Sequence, residues 1–240
     1  MTDARLAASI VEEAGRMLVG IRHLGGREGD RRSNELILVR LAEARPGDAV
    51  LSEEAADSPD RLSASRVWIV DPLDGTREYA MAGRTDWAVH VALWEAGAIA
   101  AAAVALPAVG TVYATDHPFV PHRPPGSSPL ILVSDSRPPR FTAAVAEVVG
   151  AEVAPMGSAG AKAMAVLRGE ADAYLHAGGQ WEWDSAAPVG VLLSAGFHCS
   201  RLDGSPLLYN QDPPYLPDLL MCRSELAPRL LDALALVAEE

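Results

Sequence analysis

The sequence predicts an α+β protein built of layered sheets and helices. Three observations carry that prediction. Apolar residues recur at helical spacing near the start, short strands with tight turns fill the middle, and strands alternate with helices beyond it. A meander joined to helix-separated strands does not describe a single doubly wound sheet.

Thr2-Asp3 opens the first helix, in which Leu6, Ile10, Val11, Ala14, Met17, Leu18 and Ile21 recur until Gly25-Gly26. A second amphipathic helix is expected over residues 33–44, stopped by Pro46-Gly47. Residues 49–52 and 66–70 read as short strands. Two apolar runs, 86–94 and 98–105, are parted by the hairpin signal Glu95-Ala96-Gly97, and Gly110 precedes a further strand at 111–115. Residues 117–129 hold five prolines and one glycine. That density marks a lobe boundary, dividing an α+β lobe (1–125) from an α/β lobe (126–240). The second lobe is expected to run strand 130–133, helix from Phe141, helix 159–168, strand 172–175, helix after Asp184 and a closing helix 225–239.

The composition narrows the function. With 240 residues, 49% of them hydrophobic, the chain can bury a substantial core. A net charge of -12 repels nucleic-acid phosphates and anionic lipid, so neither polymer nor membrane is an expected partner. A small anionic substrate is compatible if bound cations reverse the local field. Cys199 and Cys222 lack the spacing of a disulfide scaffold or zinc site. The charged start and the absence of a long apolar run point to a cytoplasmic protein.

The chemistry concentrates in Trp68-Ile69-Val70-Asp71-Pro72-Leu73-Asp74-Gly75-Thr76. A strand ends in two aspartates three residues apart, with proline stiffening the turn. Asp71, Asp74 and the Leu73 carbonyl can converge as oxygen ligands of the kind magnesium takes. A helix opening at Gly75 would aim N–H groups at a phosphate on that ion. Solvated turn residues with a capping role remain the alternative. Ser52-Glu53-Glu54 can add acids from a neighbouring strand, and Asp184 opens a later helix, where a simple N-cap is the alternative. Pro188 fits the first turn of that helix.

Together these segments resemble the inositol-monophosphatase superfamily. Asp71-Pro72-Leu73-Asp74-Gly75-Thr76 matches its first signature and Trp183-Asp184-Ser185-Ala186-Ala187 its second. Gly157-Ser158-Ala159-Gly160-Ala161-Lys162 is similar to its substrate-side loop. Thr76-Arg77-Glu78-Tyr79, Leu202-Asp203-Gly204-Ser205-Pro206-Leu207 and Tyr209-Asn210 resemble most the CysQ-type phosphatases of 3′-phosphoadenosine 5′-phosphate, particularly actinobacterial ones.

The resemblance implies an α-β-α-β-α sugar-phosphatase fold, two or three magnesium ions, frequent inhibition by lithium, and a homodimer. It implies metal ligation by Glu53, Asp71, Leu73, Asp74 and Asp184. Asp30 with Thr76 would orient the attacking water, although Asp30 as the cap of the second helix is the alternative. Gly75, Thr76, Arg77, Ser158, Lys162 and His176 would face the substrate, a small phosphorylated metabolite such as a nucleotide bisphosphate. Lys162 as a solvated helix lysine is the alternative there. His176 stands near a position that is often arginine, which leaves contacts to a second phosphate open. Trp181 and Trp183 can wall a nucleobase pocket or pack the lobes, and His90 reads as structural. Inositol-phosphate or fructose-bisphosphate hydrolysis are the competing activities, and a non-catalytic nucleotide-binding module is the competing class.

Overall fold

The computed structural model describes residues 1–117 and 128–238, so the expected boundary at 125/126 and Glu239 lie outside the described residues. One five-stranded sheet has the order β1-β2-β3-β4-β5: β1 (Ala49–Ser52), β2 (Arg66–Asp74), β3 (Ala88–Glu95), β4 (Ala98–Leu106) and β5 (Thr111–Ala114). Only its β1–β2 pair is parallel. The second sheet has the order β7-β6-β8-β10-β9: β6 (Leu130–Ser134), β7 (Glu152–Met156), β8 (Ala173–Trp181), β9 (His198–Ser200) and β10 (Tyr215–Cys222).

Seven helices complete five layers among the described residues. Helices α1 (Asp3–Ile21) and α2 (Gly26–Ala44) cover the outer face of the first sheet, and the short α3 (Thr76–Ala80) follows β2. Helices α5 (Ala159–Leu167) and α6 (Glu182–Ser194) fill the space between the sheets. Helices α4 (Thr142–Val149) and α7 (Ala227–Ala238) close the far side. The α-β-α-β-α architecture expected from the sequence is therefore present.

Strand β2 explains its own composition. Trp68 and Val70 pack toward α1 and α2, while Val67 and Ile69 pack toward the inner helices, so alternate faces both need apolar residues. The β3–β4 hairpin turns on Ala96 (φ 51°) and Gly97 (φ 89°), the positive pair a two-residue turn demands. The alanines of β4 admit helices closely: a Cβ on Gly190 of α6 would lie 2.8 Å from the Ala102 methyl.

Several expectations need correction. Helix α2 starts at Gly26, not residue 33, because its glycines serve close approach rather than breaking the helix. A Cβ on Gly26 would sit 2.6 Å from the Thr76 methyl, and one on Gly29 would sit 2.9 Å from the Tyr79 ring. Asp30 is consequently inside the helix and is not its cap. Helix α6 begins at Glu182, before Asp184, and Pro188 is its seventh residue rather than part of its first turn. That proline leaves the Asp184 carbonyl without its usual intrahelical donor. Strands β7, β9 and β10 were not anticipated. β7 contains Pro155 at a sheet edge, β9 is three residues long, and β10 bears Pro217 at a register shift.

Candidate active site

The first acids converge through an irregularity in β2. Residues three apart on a regular strand face opposite sides. Here Asp71 pairs with His90 and Asp74 with Ala88, so β2 carries one extra residue between them and both carboxyls can turn to one side. The Leu73 N–H donates to Asp71 Oδ1 at 3.0 Å, bridging over Pro72. Gly75 then adopts φ 86°, and α3 begins.

Asp184 arrives from α6, where its Oδ2 accepts from the Trp181 N–H at 2.6 Å. It is thus a helix cap and a site residue together. Asp71, Asp74 and Asp184 each offer an oxygen within 4.8 Å of the others. Asp74 also caps α5: it accepts from Ser158 Oγ at 2.5 Å, the Gly160 N–H at 2.6 Å and the Ala159 N–H at 3.2 Å. One carboxylate of the first sheet therefore seats a helix of the middle layer.

Asp30 and Thr76 meet as α2 crosses α3. Thr76 Oγ1 lies 3.3 Å from Asp30 Oδ2 and 3.0 Å from the Leu73 carbonyl, either of which accepts its proton. Asp30 Oδ1 is buried with no partner among the described residues. Glu53 is exposed over much of its surface, but its carboxyl lies within electrostatic reach of Asp30, Asp71 and Asp74.

These acids are not balanced by cations. Desolvation, then repulsion from Glu53, Asp74 and Asp184, pushes Asp71 well above the ordinary carboxylate range. Desolvation first, with neighbouring carboxylates second, raises Asp30, Glu53 and Asp184 each to about 7. A buried all-oxygen cluster that resists its own charge fits a hard divalent cation, which would supply the missing positive charge.

The rest of the lining of the ≈ 370 Å³ cleft is different. Gly75, Thr76, Arg77, Ser158, Lys162 and His176 all line it. Lys162 is buried rather than solvated, and Nζ donates to the carbonyls of Met156 (3.2 Å), Gly157 (3.2 Å) and Ser158 (2.7 Å). Burial lowers its pKa to about 8 against the pull of Asp74. Arg77 donates to Glu78 Oε1 at 2.6 Å and to Asp135 Oδ1. Because a carbonyl only accepts, His176 Nε2 carries the proton it shares with the Gly179 carbonyl at 3.1 Å, and burial holds the ring below its ordinary pKa. Trp181 and Trp183 stack on each other at 5.4 Å, with Tyr215 edge-on to Trp181, and neither tryptophan lines the cleft.

Two residues of the cleft, Arg137 and Gln180, escaped sequence reasoning. Arg137 lines the cleft, and its guanidinium has no hydrogen bond or ion pair among the described residues. Gln180 lines it too. His90 is fully buried behind the acids, with Nδ1 3.2 Å from the Trp183 carbonyl and Nε2 3.3 Å from Asp74 Oδ2. It braces β2 against the first turn of α6. Arg137 had only a polar run after a strand to mark it.

Fold and site together define a two-sheet α+β protein with an acidic cluster able to hold a metal ion beside a cleft that Arg77, Arg137 and Lys162 also line. Residues 27–236 match the model of the inositol monophosphatase family, and the chain belongs to that family. It is 55% identical to a 3′-phosphoadenosine 5′-phosphate phosphatase of Mycobacterium leprae, over 96% of this chain and 93% of the relative. It is 56% identical to one of Mycobacterium tuberculosis, over 93% and 90%. Among solved structures, a Thermotoga maritima IMPase superposes with a TM-score of 0.81 at 18% identity, covering 100% of this chain and 99% of that one, a likeness of fold. No described helix is long and apolar enough to cross a membrane.

Proposed function

We propose that this protein is a magnesium-dependent phosphatase that hydrolyses 3′-phosphoadenosine 5′-phosphate to AMP and inorganic phosphate. The observation that carries the reading is the convergence of buried Asp71 and Asp74 with half-buried Asp184, unpaired with any arginine or lysine among the described residues, at the edge of a cleft that Arg77, Arg137 and Lys162 also line. The nucleotide comes from the names of the mycobacterial relatives.

Glu53, Asp71, the Leu73 carbonyl, Asp74 and Asp184 would hold two or three magnesium ions. Bound there, the ions neutralise phosphoryl charge, acidify water and stabilise the departing alkoxide. The chain's own groups do the rest. Thr76 Oγ1 accepts a hydrogen bond from the attacking water while giving its proton to Asp30 Oδ2, which aligns a lone pair on phosphorus. Asp30, raised to about 7, is basic enough to take that proton. The backbone at Gly75 and Thr76 faces the phosphoryl oxygens. Arg137, with no internal anion, is the guanidinium available to a second phosphate. His176 stays neutral and does not add a charge. The segment offers no covalent nucleophile, so attack by water is in line and direct.

Phosphate release on 3′-phosphoadenosine 5′-phosphate, inositol 1-phosphate and fructose 1,6-bisphosphate tests this. The bisphosphate nucleotide should give the highest kcat/KM, and chelation should abolish turnover. Preference for either sugar phosphate, or nucleotide binding without turnover in magnesium, would overturn the assignment.

A further inference from the structure

Gln180 poses a chemical problem that the reaction does not solve. It is only 7% exposed, and neither its amide oxygen nor its amide nitrogen has a partner among the described residues. Buried polar groups without a partner are rare in native proteins and call for a reason. The side chain is placed deliberately. Between Ala177 and Gln180, β8 carries one more residue than β10 opposite, and the extra length is absorbed by Gly178 (φ 96°) and Gly179 (φ 88°). His176 fastens that bulge through the Gly179 carbonyl. Gln180 lies an even number of residues from Tyr174 and His176, and all three line the cleft. A Cβ on Gly179 would fall 2.0 Å from the Tyr215 hydroxyl, so the bulge is also packed in place.

We propose that Gln180 reads the purine: its carboxamide pairs with the edge of adenine that carries the 6-amino group. A primary amide presents a donor and an acceptor side by side. Adenine presents the complement, an amino donor beside a ring-nitrogen acceptor, and glutamine commonly makes this bidentate pair. Phosphate and carboxylate offer acceptors alone and would leave the amide oxygen unpaired. Arg137 on the same cleft already suits the anionic part of a substrate, so the amide is left for the neutral part. The inference rests on the nucleotide reading above and adds to it the group that distinguishes the base.

The test compares adenosine 3′,5′-bisphosphate with its analogue lacking the 6-amino group, on the wild type and on Gln180→Leu. The wild type should favour the amino compound by roughly 10- to 100-fold in kcat/KM, mainly through KM. Gln180→Leu should bring that ratio to within about twofold. The ratio does not depend on how much of the variant folds. An unchanged ratio in the variant overturns the inference alone, as does a wild type that turns over both purine compounds equally well. A wild type that turns over neither purine compound removes the reading beneath it.

Discussion

The two walls of the cleft are built on opposite electrostatic plans. On the acid wall, Asp71, Asp74 and Asp184 crowd together with Asp30 and Glu53, and no arginine or lysine among the described residues pairs with the three clustered carboxyls. On the other wall the cations are spoken for: Lys162 by three carbonyls, Arg77 by Glu78 and Asp135. A wall left unbalanced stores its function in what it must bind. A balanced wall holds its shape without the substrate and offers only the groups left over, here Arg137 and Gln180.

The sharpest way to break this contrast is Asp71→Asn. Removing one charge from the unbalanced wall should cut kcat by about a thousandfold or more, roughly 4 kcal/mol of barrier. The same change should leave metal-free thermal stability equal or higher, because it relieves a buried repulsion. Near-native phosphate release, or a marked drop in Tm in EDTA, would mean that the acids do not act as supposed. On the balanced wall the pattern reverses. Lys162→Met leaves three loop carbonyls short of a donor and should cost about 2–3 kcal/mol in urea unfolding, whether or not magnesium is present.

The pH dependence of metal-free stability separates the walls next. Asp30, Glu53 and Asp184 have folded pKa values raised to about 7. Their proton-linked stability is fully present below the ordinary carboxylate range, and it is lost as pH rises through about 7. In EDTA the protein should therefore melt at higher temperature near about pH 5.5 than near about pH 8. Magnesium should raise Tm most at the alkaline end. A magnesium effect that is equal at both ends would show that these carboxyls do not titrate together with the metal.

The acid wall was legible because its chemistry is compressed into a strand end and a helix start. Asp71, Leu73, Asp74 and Thr76 lie within six residues, and Asp184 follows a tryptophan at a helix entrance. The layered fold was legible from the same alternations. What escaped reading depends on contacts between distant segments. The glycines of α2 looked like breakers until Thr76 and Tyr79 were seen against them. The solvation of Lys162 could not be judged without the loop carbonyls beneath it. The orphaned amide of Gln180 lies beside a bulge set by two glycines and the β10 register, which no local pattern announces.

The smallest effect tests whether the balance on the second wall limits substrate binding. Arg77 divides its guanidinium between Glu78 and Asp135, and Arg84 also pairs with Asp135 at 3.1 Å. Asp135 belongs to the segment after β6, so the pairs tie α3 and Arg84 to that segment within the lining of the cleft. If Asp135 competes with an incoming phosphate for Arg77, Asp135→Asn should lower KM by about two- to fivefold, within the modest range of exposed ion pairs. Arg77→Gln should raise KM by a similar factor. The double variant decides the cause. With Arg77 gone, removing the Asp135 charge should change KM no further; an additive fall would assign the Asp135 effect to the general field of the cleft instead of to this pair.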